Sequence, residues 1–175
     1  MYDQPTSAIG GMAGSVSTVA ARYDRVNSFR MPVIQELDLV GLLIWRSDEM
    51  KSVKELVAQA NSRVKTVTAQ EAMALLTDPD TVFVDLRDSS ELMRDGKIPG
   101  AVHITRGMLE FALDPTVPYH NPVFSSGKKV VFYCASGGRS ALSADTAQSM
   151  GLASVSHLGG GFKGWKEANG PVEKV

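Results

Sequence analysis

The chain has 175 residues, of which 43% are apolar and 21% charged, with a formal net charge of -1. That is the balance of a soluble globular domain without a basic face for nucleic acid. The single cysteine, Cys134, excludes an internal disulfide and a four-cysteine metal site. His103, His120 and His157 are too scattered for a close-spaced ligand set, so no metal is expected and the histidines read as structural or surface groups.

Residues Met1 to about Arg30 are rich in Ser, Ala and Gly and lack an apolar period, which suggests a flexible tail, and residues 1–49 together are expected to be a flexible or weakly structured N-terminal extension. Arg22, Arg25 and Arg30 stand with Asp3 and Asp24 but form no amphipathic stripe, and no basic start precedes an apolar block. No targeting segment is expected, and the expected location is cytoplasmic. The apolar run Val33 to Trp45 is broken by Glu36 and Asp38 and is well short of the ~20 residues of a spanning helix, so no membrane association is expected. Met50-Lys51 resembles a fresh N-terminus: the first 49 residues are either an appendage or a misassigned start, and both readings stay open. Ser52 and Glu55 are spaced as a capping box ahead of Val53, Leu56, Val57 and Ala60, which predicts a leading helix over 50–62. Residues 63–175 form the principal domain.

Val64 to Val67 reads as a first strand, and Thr68 with Glu71 as a second capping box opening a helix to about Leu76. Asp78-Pro79-Asp80 ends it. Thr81 to Leu86 is an apolar second strand. Asp88 to Glu91 caps a short helix that closes near Asp95-Gly96, and Ile98-Pro99-Gly100 turns the chain into a third strand, Ala101 to Ile104. Thr105 opens a helix through about Leu113, and Asp114 to Gly127 is a long Pro-containing loop. Lys129 to Tyr133 is the fourth strand, Ser140 to Met150 a helix, and Ser154 to Leu158 the fifth strand. Gly159-Gly160-Gly161 leads into a last helix around Phe162 to Asn169. Strands alternating with helices, without hairpin signals, predict an α/β fold: a five-stranded parallel sheet with helices on both faces.

In such sheets ligands bind beyond the carboxyl ends of the strands, where Cys134, the Asp85 to Arg87 segment and the triple glycine all fall. The stretch Cys134-Ala135-Ser136-Gly137-Gly138-Arg139-Ser140 joins a strand to a helix N-terminus, a place where backbone N–H groups and the helix dipole favour an anion. The functional reading makes Cys134 a thiolate nucleophile, aided by the loop amides and the cationic Arg139. The bland alternative is an inert core thiol. Asp85 and Arg87 read as a structural ion pair. Arg106, Met108, Phe111 and Trp165 are candidates for a pocket wall, although Trp165 and Phe162 read first as packing residues.

These motifs resemble the rhodanese family of sulfurtransferases over about Arg63 to Glu173. The resemblance rests on Val84-Asp85-Leu86-Arg87 with Glu91 and Gly96-Lys97-Ile98-Pro99-Gly100-Ala101, on the Cys134 to Ser140 loop, and on Gly160-Gly161-Phe162-Lys163-Gly164-Trp165. It implies a rhodanese fold and a sulfurtransferase that moves sulfane sulfur from a donor such as thiosulfate to a thiophilic acceptor through a Cys134 persulfide. The substrate-binding loop would be Ala135, Ser136, Gly137, Gly138 and Arg139. No cofactor is implied; the partners are a small-molecule or protein sulfur donor and acceptor, and the sequence is silent on oligomeric state. Lys97 stands where the family often has His, and Ala135 where many members have Arg. Phosphatases on the same fold carry five residues between cysteine and arginine, whereas four stand between Cys134 and Arg139. A redox-sensing or non-catalytic binding module, or a persulfide carrier, are the alternatives.

Overall fold

A computed structural model describes residues 50–175. The expectations for residues 1–49 lie outside the described residues. The predicted capping boxes are present: Ser52 opens α1 (Val53–Arg63) and Thr68 opens α2 (Ala69–Ala74), each with its side chain accepting from the N–H three residues on and the glutamate there returning a bond. Between them runs β1 (Lys65–Val67), and after α2 come β2 (Thr81–Asp85) and α3 (Ser89–Asp95). The third strand is short, β3 (Val102–His103), and the segment after it departs from expectation. A 3-10 turn, Arg106–Met108, precedes α4 (Leu109–Leu113), and the long loop holds a second 3-10 turn at Pro122–Ser125 capped by the Asn121 side chain.

The chain continues through β4 (Lys129–Tyr133), α5 (Gly138–Ser149), β5 (Val155–Leu158) and α6 (Gly161–Glu167). Helix α5 begins two residues before the predicted Ser140, because Gly137 adopts a left-handed φ of 102° that turns the strand directly into the helix. All strand pairs are parallel, in the order β1-β5-β4-β2-β3. The five-stranded parallel sheet expected from the sequence is present.

Alternation along β4 divides the core. Val130, Phe132 and Cys134 face one side with Val64, Leu109, Ala144 and Ala147, while Val131 and Tyr133 face the other with Phe83, Leu158, Phe162 and Trp165. Ala141, Ala144 and Ala147 on α5 are fully buried, a stripe of small side chains that lets the helix lie close to the sheet. Each large apolar side chain buried in this way contributes about 1.5–3 kcal/mol. Among the described residues no helix is long and apolar enough to cross a membrane.

Candidate active site

Strand β4 delivers Cys134 to the carboxyl edge of the sheet with 1% of its surface exposed. The next four residues curl back over the sulfur, and the Gly137 N–H donates to Cys134 Sγ at 3.2 Å. The curl is enforced from behind by α6. Phe162 N–H donates to the Cys134 carbonyl at 2.7 Å and Lys163 N–H to the Ala135 carbonyl at 3.0 Å. With those carbonyls drawn outward, the loop peptides can present N–H groups to the sulfur side. This explains the triple glycine: a Cβ on Gly161, whose φ is +60°, would stand 2.5 Å from the Cys134 carbonyl oxygen and 2.7 Å from the Ser136 nitrogen. The third sequence motif therefore shapes the second.

Arg139, the cation of the loop, is held by a carboxylate from a neighbouring helix. Its two terminal nitrogens each donate to Glu91 at 2.9 Å, a bidentate pair between α5 and α3. The same carboxylate accepts from the Asp88 N–H at 3.0 Å. The Arg139 guanidinium holds Glu91 well below the usual carboxylate range. In sequence Glu91 reads as part of the first motif and of the Asp88 cap, which is present, but not as a partner of Arg139.

Asp85 and Arg87 form a buried pair, with Arg87 Nη2 donating to Asp85 Oδ2 at 2.6 Å and to the Gly96 carbonyl at 2.7 Å. The Arg87 guanidinium lies 4.0 Å from the Phe162 ring centroid, and the Tyr133 hydroxyl accepts from the Ile98 N–H at 3.1 Å. Together they tie the Gly96 to Gly100 turn to α6. Burial pushes the Tyr133 hydroxyl up, so it stays protonated.

The suggested pocket wall separates into two groups. Trp165 has no exposed surface, packs against Phe83 with ring centroids 6.2 Å apart, and donates through Nε1 to the Pro171 carbonyl at 2.9 Å, all on the sheet face opposite Cys134. It is a core residue and lines no opening. Arg106, Met108 and Phe111 follow β3. The Arg106 N–H binds the Leu86 carbonyl while its guanidinium pairs with Glu110 at 2.9 Å. Met108 and Phe111 are exposed, and Phe111 meets Tyr119 edge-on. Met108 and Tyr119 help line a shallow cavity of about 300 Å³. A larger groove of about 380 Å³, lined by Leu113, Phe124 and Leu152 among others, contains none of the cysteine-loop residues.

Sequence reasoning missed His157, which it took for a structural or surface histidine. In the register of the sheet, His157 on β5 lies beside Phe132 on β4 and Thr66 on β1, so all three share the Cys134 face. Its ring is 2% exposed and lies 3.4 Å through Nδ1 from Ser140 Oγ, which in turn lies 3.7 Å from Cys134 Sγ. Burial pushes the imidazole down, toward the neutral form. A polar residue in the middle of an otherwise buried strand was the available signal. The register that makes it matter is not readable in one sequence.

The Rhodanese-like domain family model matches residues 68–168. The mouse thiosulfate sulfurtransferase/rhodanese-like domain-containing protein 3 is 34% identical over 121 residues, covering 66% of this chain and 77% of that protein. A solved protein of unknown function from Rhodopseudomonas palustris CGA009, described as a "possible tyrosine phosphatase", is 52% identical with a TM-score of 0.69, covering 71% of this chain and 96% of its own. The polysulfide-sulfur transferase homodimer of Wolinella succinogenes is 27% identical with a TM-score of 0.55, covering 70% of this chain and 87% of its own.

Proposed function

The chain belongs to the rhodanese-like domain family, and from that premise we propose that it is a sulfurtransferase working through a persulfide on Cys134. Relatives named as sulfurtransferases support sulfur transfer in general. The observation that carries the finer reading is the Gly137 N–H aimed at Cys134 Sγ at 3.2 Å, an amide placed to stabilise negative charge on sulfur. In the proposed cycle the Cys134 thiolate attacks the outer sulfur of thiosulfate. A new S–S bond forms, the old one breaks, and sulfite leaves with its electron pair. A thiophilic acceptor such as cyanide then attacks the terminal sulfur, and the thiolate is restored with its electron pair. Preorganised loop amides hold the charge of the persulfide throughout.

The description of the Rhodopseudomonas palustris neighbour raises phosphoryl transfer as a second reading. Two features favour sulfur. The loop has four residues between Cys134 and Arg139, a small ring for one sulfur atom. Both terminal nitrogens of Arg139, which a phosphoryl group would require, are bound to Glu91.

Intact mass of the purified protein after thiosulfate, and again after cyanide, tests the proposal beside Cys134→Ser. The expected result is the gain of one sulfur atom that cyanide removes as thiocyanate, absent from Cys134→Ser. A protein that gains no sulfur from any donor but hydrolyses an aryl phosphate would replace the proposal with the phosphatase reading.

A further inference from the structure

From the cysteine sulfur runs a line of side chains that the transfer cycle leaves unused. Cys134 Sγ lies 3.7 Å from Ser140 Oγ, and Ser140 Oγ lies 3.4 Å from His157 Nδ1. His157 Nε2 lies 2.9 Å from Thr66 Oγ1, and Thr66 is exposed. The first three members are almost wholly buried, at 1%, 0% and 2% exposure, so the line leads from an enclosed sulfur to the surface. It crosses β4, α5, β5 and β1. No single element could make it, and the register of the sheet is what aligns Thr66 with His157.

Resting on the reading of Cys134 as the nucleophile, we infer that Ser140, His157 and Thr66 form a proton relay that carries the Cys134 proton to solvent and returns a hydrogen bond to the thiolate. The steps balance. With the thiol protonated, S–H donates to Ser140 Oγ, the Ser140 hydroxyl donates to His157 Nδ1, and Nε2–H donates to Thr66. As the thiolate forms, each proton moves one place outward and the Thr66 proton passes to water. His157 then carries its proton on Nδ1 and donates to Ser140, whose hydroxyl donates to Sγ. The imidazole is neutral before and after, changing only tautomer. Its burial suits it to this, because an enclosed ring resists holding a full charge. The Ser140 hydroxyl has one competing acceptor, the Gly137 carbonyl at 3.0 Å.

Both charged residues of α5, the helix that carries Ser140, are paired. On α5, Arg139 is bound to Glu91 of α3, and Asp145 to Arg63 of α1 at 2.6 Å. The buried Asp85–Arg87 pair lies toward the opposite face of the sheet, with Tyr133 and Phe162. Burial alone moves His157; no charged neighbour contributes. His157 is thus a positioning residue, acting on sulfur through Ser140.

The pH dependence of Cys134 alkylation by iodoacetamide tests the inference on the full chain. Ser140→Ala and His157→Leu should each move the midpoint of the rate curve upward by about one pH unit, a roughly tenfold loss of rate near neutrality. Ser140→Thr, which keeps the hydroxyl, should restore the original midpoint. Folded variants with an unchanged midpoint would overturn the relay. The nitrogen chemical shifts of His157 in the unsubstituted protein give a check that needs no variant. The proton should sit on Nε2 below the alkylation midpoint and on Nδ1 above it, and a tautomer that never changes across that range also overturns the relay. Failure of the sulfurtransferase reading looks different: thiosulfate adds no mass to the unsubstituted protein, while the alkylation midpoint still follows Ser140 and His157.

Discussion

At the scale of single residues, Gly161 shows how little room the cysteine loop has. Its left-handed backbone and the 2.5 Å approach of any Cβ to the Cys134 carbonyl leave no space for a methyl group. Gly161→Ala should lose about 1–3 kcal/mol of stability, measured by urea denaturation, from backbone strain and displaced neighbours. Sulfur loading should fall more than stability does, since the displaced atoms belong to the loop itself. His157 carries the opposite lesson about reading a chain. The glycine motif announces itself, because only glycine accepts such a backbone. A histidine in a strand has many reasons to be there, and only the pairing of β5 with β4 and β1 brings this one behind Ser140.

At the scale of elements, α3 and α5 are joined by the bidentate Glu91–Arg139 pair, and this places the loop's one cation at the rim. The Arg139 side chain is 38% exposed and that of Glu91 18%, so the pair contributes on the order of 1 kcal/mol to stability. Its larger effect is on charge. Glu91→Gln leaves the guanidinium uncompensated beside the sulfur, so the KM for the dianion thiosulfate should fall by about two- to fivefold at low ionic strength, and the gain should shrink in high salt. Steady-state kinetics at two salt concentrations would check it. Helix starts were legible in sequence where chemistry was local, as at the Ser52 and Thr68 caps of α1 and α2. The region after β3 was not: a 3-10 turn and a helix cap are nearly alike in composition, so one predicted helix from Thr105 resolved into two pieces. Trp165 was ambiguous for a similar reason, since an aromatic beside a functional motif suits a wall or a core, and the face of α6 decides it.

At the scale of the whole molecule, the fold was readable because five strands alternate with helices, and the site because Asp85 to Arg87, Cys134 and the triple glycine each fall at a strand's carboxyl end. The order of the strands within the sheet was not, because β4 sits between β5 and β2 through crossovers that leave no local trace. Stability should respond to acid in two stages. His157 is held below its ordinary 6.5 by burial, so the unfolded chain binds its proton first and stability declines as pH falls below that value. Glu55, Glu71, Glu91, Asp78 and Asp145 lie below their ordinary 4.5 and 3.8, so their contribution is complete above those values and is lost as pH falls through the lower folded ones. Thermal melting should therefore show a shallow decline starting near pH 6.5 and a steeper one below about pH 4.5. His157→Leu should abolish the first and keep the second. The dependence of the cysteine loop on α6 also sets a timetable during synthesis. Cys134 leaves the ribosome before Gly161, Phe162 and Lys163, whose backbone turns its loop into shape. At ~5–20 residues per second that interval is about 1.5 to 6 seconds, during which a nascent chain carries the thiol but not the backbone that cradles it.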